Sequence, residues 1–167
     1  MSNLVLPRGE HESLAKEFVY DFPSISKIQG GSEIGSFVIL NKYTSWVQKV
    51  EKEISDGILT YFYHNLPSVT ILGICNIRRT LPDHLELKYG HIGYSVRTAY
   101  RGNGYAKDML RRALFICQTL GFKSVLITAD ENNIASNKVI MWNGGKFQTS
   151  WFNKKTQSEM LVYKILL

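Results

Sequence analysis

Two glycines, Gly102 and Gly104, stand in RGNGYA between a strand-like run, GHIGYSV, and a long amphipathic repeat, and no other stretch limits the possible folds as much. A strand that enters a helix through glycines leaves unpaired backbone N–H groups at the helix start, where the helix dipole adds partial positive charge. Such a junction binds anions, phosphates above all. Gly102 and Gly104 admit positive φ and the close approach of a ligand, Arg101 adds charge, and Ala106 keeps the first turn small. From Tyr105 to Leu120 the apolar residues Ala106, Met109, Leu110, Ala113, Leu114, Cys117 and Leu120 keep helical spacing, and Gly121 supplies the stop.

Two familiar phosphate loops do not fit these residues. A nucleoside-triphosphate loop needs GxxxxGK followed by Ser or Thr, and Lys107 lies outside that frame. A dinucleotide fold needs GxGxxG, whose third glycine is replaced by Lys107. Asp130 faintly mimics the ribose-binding acid of that fold, but the chain after it reads as one helix and a hairpin, not as further β-α units.

The rest of the chain reads as mixed α/β. LVLP suggests a short strand, and residues 10–21 repeat apolar positions at helical spacing before Pro23. QGGSEIGS reads as a loop whose one charge, Glu33, is a solvated acid or faces a substrate. A second helix follows, with Asn41 or Thr44 as its cap and Tyr43, Trp46, Val47, Val50 and Ile54 on one face. ILTYFYHNL and VTILGICNIRR read as antiparallel strands, and TLPDHLELKYG as a loop with one helical turn. After the glycine junction come a strand, KSVLITA, a short helix from Asn133 to Trp142, and a closing hairpin of KFQTSWF and EMLVYKILL.

At 167 residues, with 44% apolar and 20% charged, the chain fits one domain, 1–167, with no run long enough to span a membrane. MSNLVLPRGEHE carries no secretory pattern, so the expected location is the cytoplasm. Cys75 and Cys117 lie far apart with no zinc-like spacing, and we expect core thiols and no metal site. The net charge of +6 favours anionic partners, which phosphorylated cofactors and nucleic acids both are. The basic residues are scattered, and no nucleic-acid module is recognisable.

SVRTAYRGNGYA resembles motif A of the GNAT superfamily of acyl-CoA N-acyltransferases, whose pyrophosphate loop [QR]-x-x-G-x-[GA] is met by Arg101, Gly104 and Ala106. The likeness runs specifically from Gly90 to Phe147, and HIGYSVR, RGNGYA and NxxS followed by NGG resemble a bacterial branch of acetyltransferases. It implies a mostly antiparallel central sheet flanked by helices, with acetyl-CoA as cofactor. It also implies that backbone groups around Ser95 and Val96 pair with the pantetheine arm, that Arg101, Gly102, Asn103, Gly104, Tyr105 and Ala106 hold the pyrophosphate, and that Asn133 and Ser136 contact the cofactor. Helix capping is an equal reading of that last pair.

The implied reaction is N-acetyl transfer to a primary amine, of a small molecule or a peptide, by direct attack; nucleic acid and membrane are not expected partners, and a homodimer is compatible. A silent acyl-CoA sensor is the alternative, because Ile140 fills the position of the family's usual acid, a helix tyrosine. For the base the resemblance points to His91, with Glu86 upstream; an imidazole titrates near neutral pH. A buried structural ring is the competing reading of His91.

Overall fold

The computed structural model describes residues 2–65, 70–82 and 87–167. Its strands follow the β-branched and aromatic runs: β1 (Ser2–Val5), β2 (Ile58–Asn65), β3 (Thr70–Arg78) and β4 (Ile92–Val96) form one antiparallel sheet in the order β1-β2-β3-β4. β5 (Ser124–Asp130), β6 (Lys146–Asn153) and β7 (Ser158–Leu166) form a second, in the order β5-β7-β6. Antiparallel sheets flanked by helices agree with the expected class, but the central sheet is in two parts, which among the described residues are joined by backbone hydrogen bonding at one place.

That place is His91. Its N–H donates to the Leu126 carbonyl (2.7 Å), and the Leu126 N–H donates to its Nδ1 (2.9 Å). Gly90 makes the contact possible, since it sits at φ +64° and a Cβ there would lie 2.7 Å from the Leu126 oxygen. Beyond this contact β4 and β5 have no ladder between them, and the gap opens toward Val96.

Helices cover both faces of the first sheet. On one face lie α1 (Glu12–Tyr20), α2 (Ile34–Ile39) and α3 (Tyr43–Ser55), whose Phe18, Ile34, Val38 and Trp46 bury against Phe62 and Ile74. On the other lies α4 (Tyr105–Thr119), whose Met109, Leu110, Ala113 and Cys117 pack with Cys75 and Ile77 as the spacing predicts. α5 (Ile134–Trp142) follows β5 and brings Ile140 into the same core.

Three expectations need correcting. The QGGSEIGS segment is not all loop: α2 begins within it, after left-handed Ser32 (φ 45°) and Glu33 (φ 66°). Neither Asn41 nor Thr44 caps α3, because Lys42 takes the N-cap position with no side-chain bond. Ile54 is 41% exposed and lies off the buried face. Of the TLPDHLELKYG segment, residues 87–89 are helical, whereas His84 and Glu86 lie outside the described residues. Cys75 and Cys117 are free and buried, and burial pushes both thiols up to about 12.

A candidate cofactor cleft between two sheets

The diverging ends of β4 and β5 border a cleft of about 600 Å³ lined by Tyr94, Ser95, Val96, Arg101, Gly102, Gly104, Tyr105, Ala106, Asn133 and Ser136. The sequence-predicted residues are thus brought together, except that Asn103 closes the loop from outside by donating Nδ2 to the Tyr100 and Arg101 carbonyls (3.2 and 3.1 Å). Gly102 and Gly104 take φ +81° and +78° with no atom within 4 Å of where a Cβ would sit. Their space faces the opening.

The start of α4 is built for an anion. Gly104 is its N-cap and offers no side-chain acceptor, so the first-turn amides remain open on the cleft. Lys27 and Lys107 also line it, and Arg101, which donates Nε to the Val96 carbonyl (3.2 Å), stands 5.5 Å from the Phe22 ring. Asp108 does not cancel this charge. Burial raises its pKa, but hydrogen bonds from Arg112, Arg111 and Tyr63 outweigh that and bring it down to about 2. The Tyr63 bond (2.7 Å) ties the helix start to β2.

One edge of β4 faces the gap. Arg97 N donates to Leu72 O and Arg78 N to His91 O (both 2.8 Å), so backbone groups of alternate residues, Ser95 among them, serve the ladder to β3. The peptide groups of Tyr94 and Val96 therefore face the gap. Ser95 contributes differently, with Oγ accepting the Gln29 N–H (2.6 Å) and pinning the segment before α2 onto β4. Asn133 caps α5 through the Ser136 N–H (3.1 Å), and both residues still line the cleft.

Sequence reasoning missed a hydroxyl pair. Tyr94 OH and Ser136 Oγ stand 2.9 Å apart across the gap, and burial, partly offset by Ser136, pushes the phenol up to about 12. A tyrosine on a strand and a serine on a helix give no joint signal 42 positions apart. Ile140 is 0% exposed, so the position of the usual family acid is filled by core.

His91 is 9% exposed and meets Phe122 edge-on at 5.5 Å. With Nδ1 accepting from Leu126, a neutral ring carries its proton on Nε2. Neither nitrogen then has a lone pair left to take a proton. Among the described residues no group of three or more metal-ligating side chains is present, and no helix is long and apolar enough to cross a membrane.

A family profile for the acetyltransferase (GNAT) domain matches residues 40–146. The chain belongs to the GNAT acetyltransferases. No curated protein sequence matches it, but solved structures share its fold across 99% of the chain. Mycobacterium smegmatis RimJ, solved with a CoA disulfide, superposes with a TM-score of 0.79 at 16% identity over 81% of its own length. The microcin C7 self-immunity acetyltransferase MccE, solved with acetyl-CoA and AMP, gives 0.75 at 15% identity over 92% of its length. RimL, a ribosomal L7/L12 α-N-protein acetyltransferase solved with coenzyme A, gives 0.76 at 14% identity over 94%. Acetyl-CoA is the cofactor of the GNAT family, and the cleft of this GNAT domain fits it: open glycines, uncapped amides, flanking cations and an unpaired strand edge suit a pyrophosphate joined to an amide-bearing arm.

Proposed function

We propose that this chain, as one domain over residues 1–167, transfers the acetyl group of acetyl-CoA to a primary amine by direct attack. The observation that carries the reading is the gap that opens from the His91–Leu126 contact and ends on the uncapped start of α4. Bound acetyl-CoA supplies an acetyl group activated as a thioester.

The residues divide the work by position. Amides from Arg101 to Ala106, with Lys27 and Lys107, would hold the phosphates, and the outward peptide groups of Tyr94 and Val96 would pair with the amide-bearing arm as an added strand does. Asn133 would keep α5 and Ser136 in place through its cap. Tyr94 OH and Ser136 Oγ would hold a proton for the departing sulfur, since a phenol pushed up to about 12 remains protonated at neutral pH. We assign His91 to joining the sheets, because its lone pair is already spent on Leu126.

A thiol-release assay with acetyl-CoA and a panel of amines, read together with product masses, tests the proposal. Amine-dependent release with an N-acetylated product supports it. Tight CoA binding without turnover on any amine favours a silent acyl-CoA sensor, to which the buried Ile140 would be suited.

A further inference from the structure

A second cavity, of about 460 Å³, adjoins the cofactor cleft. The two share one boundary: Gln29 and Ser95 line the first, Gly30 lines the second, and a Cβ on Gly30 would lie 2.1 Å from the Gly93 carbonyl oxygen. Gly93 and Ser95 are two residues apart on β4, about 7 Å along a strand. A molecule in the second cavity therefore sits beside the arm-binding edge of β4.

Its floor is polar and unsatisfied. Asn76, on β3 opposite Gly93, is 6% exposed, and its Oδ1 is buried without a hydrogen bond. Leaving such a group unpaired is costly. Arg78 donates Nη1 to the Tyr89 and Gly90 carbonyls (3.4 and 3.1 Å), while Nη2 has no hydrogen-bond or ion-pair partner among the described residues. Burial lowers the pKa of that guanidinium, which marks a charge short of compensation. A Cβ on Gly93 would lie 3.0 Å from Asn76 Oδ1 and 3.2 Å from Arg78 Nη2, so both polar atoms stand beside the same glycine and a side chain there would crowd them.

Of the other walls, one carries a charge, Glu33, which is paired with Lys49 Nζ at 3.4 Å. Ile25, Ile28 and Ile34 supply an apolar side. The left-handed turn at Ser32 and Glu33 is kept in place from behind: Trp46 Nε1 donates to the Gly31 and Ser32 carbonyls (both 3.1 Å) and Lys49 Nζ to Ser32 (3.2 Å). Two consecutive non-glycine residues with positive φ are strained, and they persist only where the surroundings enforce them.

We propose that this cavity receives the acceptor and that the acceptor is an α-amino carboxylate with an aliphatic side chain. Its amine donates to Asn76 Oδ1, its carboxylate accepts from Arg78 Nη2, and its side chain meets the isoleucines. The proposal rests on the acetyltransferase reading. In the reaction the neutral amine nitrogen forms the new C–N bond as the C–S bond breaks, the sulfur takes the proton held by Tyr94 OH and leaves as a thiol, and the proton lost by the amine goes to solvent, from which the phenol regains its own.

Leucine, leucinamide and 3-methylbutylamine form the test, because they keep the side chain while removing first the charge and then the whole carboxylate. With the intact protein, leucine should exceed both others in kcat/KM by about tenfold or more, since a site built for a polar group rejects the analogue lacking it. Arg78→Met should raise KM for leucine about tenfold with kcat nearly unchanged, and CoA-induced thermal stabilisation reports whether the variant is folded. Equal rates for leucine and leucinamide overturn the proposal. If no amine turns over, calorimetry of the CoA-loaded protein decides: leucine binding without leucinamide binding sustains the pocket assignment, and absence of leucine binding sinks it. Failure to bind CoA would sink the acetyltransferase reading, and leucine against leucinamide binding to the free protein would still judge the cavity.

Discussion

The two ends of the gap between β4 and β5 both depend on glycine, for opposite physical reasons. At the closed end Gly90 has positive φ and backbone packed against it, with the Leu126 oxygen 2.7 Å from where a side chain would begin. At the open end Gly104 has positive φ and nothing within 4 Å. A crowded glycine records a contact the fold makes with itself. An uncrowded one, at an uncapped helix start, leaves room for something the fold does not contain. The difference separates holding the cleft from filling it, and substitutions at each end should separate stability from cofactor affinity.

The largest effect is expected at the closed end. Gly90→Ala adds a Cβ against backbone that has no flexible end to move aside, and it forces a positive φ that costs about 1–2 kcal/mol alone. We expect loss of soluble protein or a Tm lower by more than about 10 °C, measured by thermal unfolding without ligand. A melting curve close to wild type would remove the distinction between the two ends.

His91→Ala should follow. It leaves the partly buried Leu126 N–H without its acceptor and removes the ring from Phe122, a loss of about 2–4 kcal/mol. Activity should fall only in proportion to the folded fraction. A folded variant with kcat lowered about 100-fold and unchanged stability would instead return His91 to the role of base.

At the open end Gly104→Val should leave a folded protein with CoA affinity reduced about 100-fold or more, because a β-branched residue resists φ +78° and its side chain enters the phosphate space. Titration calorimetry reads the affinity, and the melting curve should show only the cost of the φ itself. Retained affinity in the folded variant would end the phosphate reading. Smaller again, Tyr94→Phe and Ser136→Ala should each lower kcat about tenfold with little change in CoA affinity, and the double variant should fall short of the product of the two. Fully additive losses would mean that the hydroxyls do not act as a pair.

What was legible in the sequence follows the same division. The glycine junction, the face of α4 and the β-branched strands are local patterns, and each lies where spacing and composition placed it. Features that arise from contact between distant segments left no trace: the split of the sheet at His91, the Tyr94–Ser136 pair, and Asn76 beside Arg78 over Gly93. The helix α2 was hidden for a third reason. Its six residues, IGSFVI, include a glycine and three β-branched side chains, poor helix formers, and its N-cap is a left-handed Glu33 with no capping bond. Packing of Ile34 and Val38 on the core forms that helix, against its local preference.

The smallest predicted effect concerns Asp108, which lies in the first turn of α4 behind the open end. Its carboxylate is bound by Arg111 (2.6 Å), Arg112 (2.7 Å) and Tyr63 (2.7 Å), so the charge does not face the phosphate space uncompensated. Since its pKa falls from an ordinary 3.8 to about 2 on folding, its contribution to stability is fully present above about pH 4 and is lost as pH drops through 2. The ion pairs are partly solvated, and such pairs contribute little. Asp108→Asn should therefore lower Tm by a few degrees at pH 7, with the gap to wild type narrowing between pH 4 and pH 2. CoA affinity should stay within about threefold of wild type, because removing a negative charge that two arginines already neutralise changes the field at the loop only slightly. A large gain in affinity would show that Asp108 does repel the phosphates, and that the anion site owes less to the open amides of α4 than its geometry indicates.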